Sequence, residues 1–185
     1  MNDPFFFGYG SLVNRKTHDY GQAHPAKIKG WRRAWRRSPL RNLCFLTAVP
    51  DPDTTIEGLI AAVPNADWAA LDIREHGYLR HEVTGHVEHG ANHDPQIAIY
   101  AIAPKEHASP TSENPILLSY LDVVIQGYLT EFGEDGVARF FQTTDGWHAP
   151  IMNDRANPVY LRAQSLTKTQ TGLIDEYIAK SRQIS

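Results

Sequence analysis

The spacing of hydrophobic positions changes about halfway along the chain. The first half contains short apolar runs bounded by glycine, proline or polar residues, which are typical of buried strands. These runs cover residues 5–7, 43–49, 56–63 and 96–103. From Pro115 the apolar residues recur at helical spacing as far as Gly133, and a last helix is predicted over about 171–182. Short strands followed by helices favour an α+β fold, with helices against a curled sheet or small barrel.

Three further segments have weaker signals. A short helix is predicted over residues 66–76, between a capping residue, Asn65, and Gly77 in the position that a left-handed C-cap needs. Residues 78–89 return to a strand pattern. The stretch 144–160 is rich in turn-forming residues and is predicted to be an ordered loop.

The composition fits one globular domain over residues 1–185, because 42% of the residues are hydrophobic and this length can enclose a core. The net charge of -3 indicates neither disorder nor polyanion binding. Cys44 is the only cysteine, so no disulfide can form within the chain. The first residues lack the basic region of a signal peptide, and no apolar stretch has the length of a membrane span. We therefore expect a soluble, cytoplasmic protein without a membrane partner.

One basic segment, residues 27–41, holds seven of the eighteen lysines and arginines together with two tryptophans. Cations interleaved with aromatic rings are typical of single-stranded nucleic-acid binding. In a strand, however, alternate residues share one face, which gives the mixed pattern of a half-covered sheet. The residues on that face are Trp31, Arg33, Trp35 and Arg37. We favour this structural strand, with one arginine available to a small carboxylate substrate, and we expect no nucleic-acid partner.

The histidines do not match a known metal motif. His81 and His86 resemble the pair of a helical zinc motif but have one intervening residue too many, and the residues between them do not favour a helix. In a strand the two side chains point to opposite faces, so they cannot share an ion simply. We expect no metal ion.

A glycine-rich turn, Gly8-Tyr9-Gly10-Ser11, follows the first predicted strand. Val13 stands where a dinucleotide-binding fingerprint needs glycine or alanine, and the lysine of a P-loop is missing. Two interpretations stay open for this turn. It is either a nest of backbone N–H groups that binds an anion or a simple strand-ending turn, and the turn alone favours the second.

Glu75 is the carboxylate with the most informative position. On the predicted short helix it shares the apolar face with Trp68 and Leu71. Desolvation on that face raises the pKa of a carboxylate toward the range that suits a general base. The alternative is a glutamate that caps the helix or pairs with Arg74 or His76, and the residues alone favour neither.

Together these segments resemble the gamma-glutamylcyclotransferase-like family, which includes the ChaC branch. The sequence Phe7-Gly8-Tyr9-Gly10-Ser11-Leu12 resembles the family's hallmark loop. The sequence Leu71-Asp72-Ile73-Arg74-Glu75-His76-Gly77-Tyr78 resembles its second motif, whose glutamate is the acid/base. Weaker similarities at 30–35, 119–128 and 158–160 extend the resemblance over roughly residues 5–160. The two main motifs in this order and spacing are fairly specific.

The resemblance implies a small mixed β-barrel with helices packed outside and a pocket that opens at the first loop. It implies that Glu75 is the acid/base of a reaction that cyclises a γ-glutamyl group to 5-oxoproline, without a metal or cofactor. The substrate-binding residues that it implies are Gly8, Tyr9, Gly10, Ser11, Leu12, Tyr78 and Tyr160. The expected partner is therefore a small-molecule γ-glutamyl amide.

Two departures from the glutathione-specific branch bear on the substrate. That branch has a tryptophan shortly after its first loop and a longer basic insertion after its second strand, whereas this chain has Val13-Asn14 and a short segment at 39–43. Another γ-glutamyl amide is thus at least as well supported as glutathione. A different class of function also stays open, namely a non-catalytic module that binds a small molecule on the same scaffold. A carboxylate at position 75, beside the substrate carbonyl, argues against that module.

Overall fold

The structure is a computed structural model that describes residues 3–38 and 41–183. Within these residues it contains nine β-strands and three α-helices. The strands are β1 (Phe5–Gly8), β2 (His24–Ser38), β3 (Arg41–Ala62), β4 (Leu79–Glu82), β5 (Val87–His89), β6 (Ile97–Ala101), β7 (Ile116–Leu117), β8 (Thr144–Asp145) and β9 (Ile151–Met152). The helices are α1 (Ala69–Arg74), α2 (Leu118–Gln142) and α3 (Lys168–Ser181). The two residues at each terminus, and residues 39 and 40 of the short segment after β2, lie outside the described residues.

A mixed, curled sheet forms the centre of the fold. Its strands follow the order β4-β6-β1-β3-β2-β5, and β8 pairs with β2. β1 runs parallel to β6 and β8 runs parallel to β2, whereas the other neighbours are antiparallel. The helices pack against this half-barrel, whose edges are β4 and β5. The predicted α+β fold, a small mixed barrel with helices outside, is therefore confirmed.

A β-bulge bends the long hairpin of β2 and β3. The register shifts between Lys29 and Trp31, and Gly30 lies at the shift with a φ of +89°, a conformation that favours glycine. The predicted runs at 43–49 and 56–63 belong mainly to one strand, β3, because the extended backbone continues through the polar residues between them.

The basic segment is a structural strand whose central arginine is buried. The Arg33 side chain is fully enclosed, and its guanidinium lies 5.0 Å from the ring centre of Tyr128 and 4.8 Å from that of Phe140. It donates hydrogen bonds to the hydroxyls of Tyr128, at 3.3 Å, and Thr143, at 2.8 Å. Trp35, on the same face, is also fully buried. The central cation and aromatic ring of the segment are thus core groups, and the absence of a nucleic-acid partner stays a prediction.

The helix before Glu75 is shorter than predicted. Asn65 has a φ of +58° inside a 3-10 turn over Pro64–Ala66, so it does not cap an α-helix, and α1 begins only at Ala69. Gly77 has a φ of +94°, the left-handed conformation expected of it.

The predicted strand at 78–89 is divided into β4 and β5 by a 3-10 turn at Thr84–His86. The Thr84 hydroxyl accepts the Ile97 N–H at 3.0 Å, which interrupts the strand ladder. His81 therefore lies on β4 and His86 in the turn, so the argument from one continuous strand was wrong. Among the described residues, no three His, Cys, Asp or Glu side chains are grouped as a metal site requires.

Helix α2 continues through Gly133, where the sequence pattern ended it. Gly133 has a φ of +66° and a ψ of -169°, so the helix bends there and resumes beyond it. The first part of α2 packs tightly on the segment that follows the first loop, because a Cβ on Gly127 would lie 2.7 Å from the Asn14 nitrogen. The predicted loop at 144–160 includes the short strands β8 and β9. Within the described residues, no helix has both the length and the apolar character to cross a membrane.

Candidate active site

Two neighbouring cavities open beside the first loop. The inner cavity has a volume of about 30 Å³ and is lined by residues 8–12, whereas the outer cavity has a volume of about 410 Å³. The residues that line both are Ser11, Leu46, Glu75, Tyr78 and Tyr120. A small polar inner end that adjoins a larger outer end suits a ligand made of two parts.

The first loop is tightly packed at its glycines. A Cβ on Gly8 would lie 2.5 Å from the Cβ of Leu12, and a Cβ on Gly10 would lie 2.6 Å from the hydroxyl oxygen of Tyr120. Side chains do not approach one another this closely, so both positions require glycine for reasons of space. The loop therefore brings its backbone directly against Tyr120 and the inner cavity.

The carbonyl groups of the loop are satisfied within the protein. Their partners are the Tyr128 hydroxyl for Tyr9 (2.9 Å), the Val13 N–H for Gly10 (3.0 Å), the Asn14 N–H for Ser11 (3.1 Å) and the His18 ring for Leu12 (3.0 Å). The Gly10 amide, in contrast, donates no hydrogen bond to any other residue in the ranges 3–38 and 41–183. The loop thus keeps a backbone donor available while its acceptors are occupied, which favours an anionic ligand.

The Tyr9 side chain is mainly a core group. Its hydroxyl donates to the Tyr100 carbonyl at 2.6 Å and accepts the Ala48 N–H at 3.1 Å. Burial, together with the negative charge of Glu75, raises the pKa of Tyr9 well above its ordinary value. Tyr9 therefore ties the loop to β3 and β6, and it contributes its backbone to the inner cavity.

Glu75 directly follows α1 and lines both cavities. Only 18% of its side chain is exposed, and its Oε1 lies 3.4 Å from the Nε of Arg74. Burial raises the pKa of Glu75, and the positive charges of Arg74 and Arg162 lower it in part. A buried carboxylate whose pKa is raised toward neutrality suits proton transfer. The carboxylate is thus both desolvated and ion-paired, so the two interpretations of its sequence position are not exclusive.

Arg74 connects Glu75 with the first loop. Its guanidinium donates to the Thr17 carbonyl at 2.8 Å, to the Thr17 hydroxyl at 3.0 Å and to the Ser11 hydroxyl at 3.3 Å. Its side chain is 9% exposed. One arginine therefore holds the end of α1 against a loop that is 63 positions away in sequence.

Two tyrosines from the second half of the chain complete the site. Tyr120, near the start of α2, lines both cavities, and burial raises its pKa well above the ordinary value. Its hydroxyl therefore stays protonated at neutral pH. Tyr160 lines the outer cavity and packs edge-on against Tyr120, with ring centres 5.0 Å apart.

Asp154 fixes the turn that carries Tyr160. Its carboxylate accepts hydrogen bonds from the Ser119 N–H (2.8 Å), the Ser119 hydroxyl (2.5 Å) and the Val159 N–H (2.9 Å). The Ser119 hydroxyl oxygen also accepts the Tyr160 N–H at 3.3 Å. Burial raises the pKa of Asp154, but these hydrogen bonds outweigh it and the pKa is lowered overall. The end of the predicted loop is therefore ordered by a buried carboxylate.

The outer cavity has an apolar wall formed by Leu43, Phe45 and Leu117. Cys44 also lines it, but its thiol donates to the Asn114 carbonyl at 2.9 Å. Burial raises the pKa of this thiol to about 11, so it is protonated and a poor nucleophile at neutral pH.

The structure brings all the predicted site residues to these cavities. The five loop residues and Tyr78 line the inner cavity, Tyr160 lines the outer one, and Glu75 lines both. The Tyr78 hydroxyl donates to the Leu46 carbonyl at 2.9 Å. The contacts of these residues with a substrate stay predictions.

Sequence reasoning missed Tyr120, Arg74 and Arg162 as site residues. The first two lie inside the motifs that carried the family resemblance, which was the available signal. Arg162 lies two positions after Tyr160 and had no signal of its own, because only the fold brings it to the cavity.

The family model of ChaC-like proteins matches residues 5–118 of the chain. The match covers more than half of the 185 residues and includes the first loop and Glu75. Tyr120, Tyr160 and Arg162 lie beyond it. No curated protein matches the chain by sequence.

Several solved structures of low sequence identity have a similar fold. A gamma-glutamyl cyclotransferase has a TM-score of 0.59 and 14% identity, with 94% of this chain and 99% of that chain covered. The protein loc79017 from Homo sapiens has a TM-score of 0.57 and 15% identity, with 95% and 99% covered. A gamma-glutamyl cyclotransferase specific to glutathione from yeast has a TM-score of 0.50 and 18% identity, with 100% and 99% covered. At these identities the likenesses show the fold alone.

Proposed function

Because the chain belongs to the ChaC-like protein family, we propose that it is a γ-glutamylcyclotransferase that releases 5-oxoproline from a γ-glutamyl amide. One observation carries the proposal: Glu75, partly buried and with a raised pKa, lines the same two cavities as the first loop. A base and an anion-binding backbone then face one small ligand. The reaction is intramolecular, so this chemistry needs neither a metal nor a cofactor.

In this proposal the glutamyl half of the substrate is anchored by its α-carboxylate at the inner cavity, whose volume of about 30 Å³ has room for one such small group. The α-carboxylate accepts a hydrogen bond from the backbone N–H of Gly10, whose amide has no acceptor among the described residues. The α-ammonium group of the same half lies beside the Glu75 carboxylate, which lines both cavities. The departing amine then extends into the outer cavity, past Tyr160.

The reaction exchanges one C–N bond for another and removes two protons from the attacking nitrogen. Glu75 takes the first proton from the α-ammonium group, and the freed amine attacks the γ-carbonyl carbon to close a five-membered ring. Glu75 passes this proton to the departing nitrogen, and the tetrahedral intermediate collapses as the bond to that nitrogen breaks. The ring nitrogen then gives its second proton to Glu75, which releases it to the departed amine or to water. Both reacting groups belong to one molecule, so the protein mainly has to fold the substrate and transfer protons.

The Tyr120 hydroxyl is the donor that we assign to the developing oxyanion. It lines both cavities and stays protonated because burial raises its pKa. A hydroxyl held in place in this way can donate to the γ-carbonyl oxygen and stabilise its negative charge.

The test is to incubate the protein with γ-glutamyl amino acids, γ-glutamyl amines and glutathione, and to detect 5-oxoproline by mass spectrometry. We expect release from at least one substrate, and loss of that release in Glu75→Gln. A binding module without catalysis would instead bind a member of the panel, seen by calorimetry, without releasing 5-oxoproline. That result would replace the enzymatic proposal.

A further inference from the structure

The outer cavity contains two arginines with different environments. The Arg74 guanidinium is buried and bonded to Thr17 and Ser11, as described above. Arg162 is exposed, and within the described residues its guanidinium makes no hydrogen bond or ion pair. Arg162 therefore has its full donor capacity available to a ligand.

The backbone around Arg162 is held in place. The Ala163 N–H donates to the Tyr160 carbonyl at 3.1 Å, and the Gln164 side-chain amide donates to the Arg162 carbonyl at 3.2 Å. Tyr160 is itself bonded through its N–H to Ser119. Since the turn is ordered before a ligand arrives, only the Arg162 side chain has to be immobilised on binding.

The position of Arg162 indicates which half of the substrate it contacts. Arg162 lines the outer cavity but not the inner one, and the apolar wall of Leu43, Phe45 and Leu117 lines the outer cavity too. In the proposed function the glutamyl half is at the inner end, where Glu75 matches its ammonium group. The cation and the apolar wall therefore both face the departing amine.

We infer that Arg162 binds a carboxylate on the departing half of the substrate, so that γ-glutamyl conjugates of apolar amino acids or peptides are preferred over γ-glutamyl amines. This inference rests on the proposed function. A guanidinium binds a carboxylate through two parallel hydrogen bonds, which an amine without a carboxylate cannot accept.

The experiment compares γ-glutamyl-leucine with γ-glutamyl-isopentylamide, which is the same molecule without the departing carboxylate. In the unaltered protein kcat/KM should be about tenfold higher for the leucine conjugate, a modest ratio because water screens an exposed ion pair. At a pH above the acid limb of kcat/KM, where Glu75 is ionised in both proteins, Arg162→Met should lower kcat/KM for the leucine conjugate to that of the amide and leave the amide unchanged. Arg162→Lys keeps the charge but not the planar guanidinium, so its kcat/KM for the leucine conjugate should lie between the values of the unaltered protein and Arg162→Met.

A matched control is Lys29→Met, which removes an exposed cation that lines neither cavity. It should leave the ratio of the two substrates unchanged. Equal kcat/KM values for both substrates in the unaltered protein would overturn the inference. An equal fall for both in Arg162→Met would also overturn it, because Arg162 would then serve the glutamyl half.

A calorimetric measurement separates this inference from the proposed function. If neither substrate yields 5-oxoproline, the proposed reaction fails, but binding of the same two molecules still tests Arg162. Tighter binding of the leucine conjugate, lost in Arg162→Met, would support the carboxylate site. Equal binding of the two molecules, or no binding of either, would contradict it.

Discussion

The two halves of the molecule supply the walls of the site in different ways. Residues 5–118, which match the family model, provide the first loop, Arg74 and Glu75. The remainder provides Tyr120, Tyr160 and Arg162. The first wall is buried and internally bonded, whereas the second ends in an exposed cation. In the proposed function the first wall supplies the base, whereas the second supplies the oxyanion donor, Tyr120, and the cation that selects the departing amine.

The two walls also have separate supports. The first rests on the sheet, where the Tyr9 and Tyr78 hydroxyls bond to the backbone of β3. The second rests on Asp154, which bonds to Ser119 at the start of α2. The two walls are in contact at Tyr120, which lies against Gly10 of the first loop. The outer residues of the second wall can therefore be substituted with little effect on the structure of the first wall.

The largest effect is expected from Glu75→Gln. Glutamine keeps the size of the side chain and an acceptor oxygen but cannot take the ammonium proton at neutral pH. Removing a general base costs about 10²–10⁴-fold in turnover, and the loss should be near the upper end because in the proposed reaction Glu75 also protonates the departing amine. The measurement is 5-oxoproline release, with calorimetry to show that substrate still binds.

The control for this change is Glu82→Gln, since Glu82 is an exposed carboxylate on β4 outside both cavities. It should retain full turnover. Near-normal turnover in Glu75→Gln, with loss in Glu82→Gln, would assign the acid/base role to Glu82.

Melting temperatures at two pH values add a second check on Glu75. Burial raises the folded-state pKa of Glu75, so its contribution to stability is complete at low pH and is lost as the pH rises through that pKa. The stability gained by Glu75→Gln should therefore be larger at pH 8 than at pH 4.

Residue patterns were sufficient to identify the first loop, Glu75 and much of the fold. The motifs around Gly10 and Glu75 are contiguous in sequence, so each was visible without knowledge of long-range contacts. The helical spacing after Pro115 likewise predicted most of α2. A further signal was present but missed: Thr167 and Gln170 form a capping box, which starts α3 at Lys168.

The other features of the site and fold could not be predicted from the sequence, because they depend on contacts between residues that are distant in sequence. The role of Arg74 arises from bonds to Thr17, and that of Tyr120 from contact with Gly10, both far away in sequence. Gly133 lies in a bend within α2, because helix packing on either side outweighs the local tendency of glycine to end a helix. Arg162 follows a turn whose position is set by Asp154.

The next largest effect is expected where the walls meet, in Gly10→Ala. The added Cβ would lie 2.6 Å from the Tyr120 hydroxyl oxygen, so the loop or the tyrosine must move. Overpacking of this kind costs about 1–3 kcal/mol in the free energy of unfolding, and the shift should also weaken substrate binding. Denaturant unfolding and KM are the two measurements.

The matched rescue is the double variant Gly10→Ala with Tyr120→Phe. It removes the clashing oxygen and leaves the ring carbon at 3.9 Å, an ordinary contact, so most of the stability should return while turnover stays low. Gly172→Ala, where an added Cβ meets nothing within 4 Å, is the control for a change of glycine alone. If the double variant is no more stable than Gly10→Ala, the packing of Tyr120 on the loop is not as described.

The smallest effect is expected from the charge of the second wall on the base of the first. Arg162 lowers the pKa of Glu75, so Arg162→Met should raise that pKa. In the proposed reaction Glu75 acts as a base in its ionised form, and the acid limb of kcat/KM against pH should therefore move to higher pH. The amide substrate, which lacks the departing carboxylate, is the one to use. Arg162→Lys keeps the charge and should leave the acid limb at the same pH, as should Lys29→Met.

A salt titration tests the same interaction without a substitution. Because Arg162 is exposed, added salt should move the acid limb of the unaltered protein toward that of Arg162→Met. A limb that moves to lower pH in Arg162→Met would show that Arg162 does not stabilise the ionised form of Glu75, and the two walls would then be electrostatically independent.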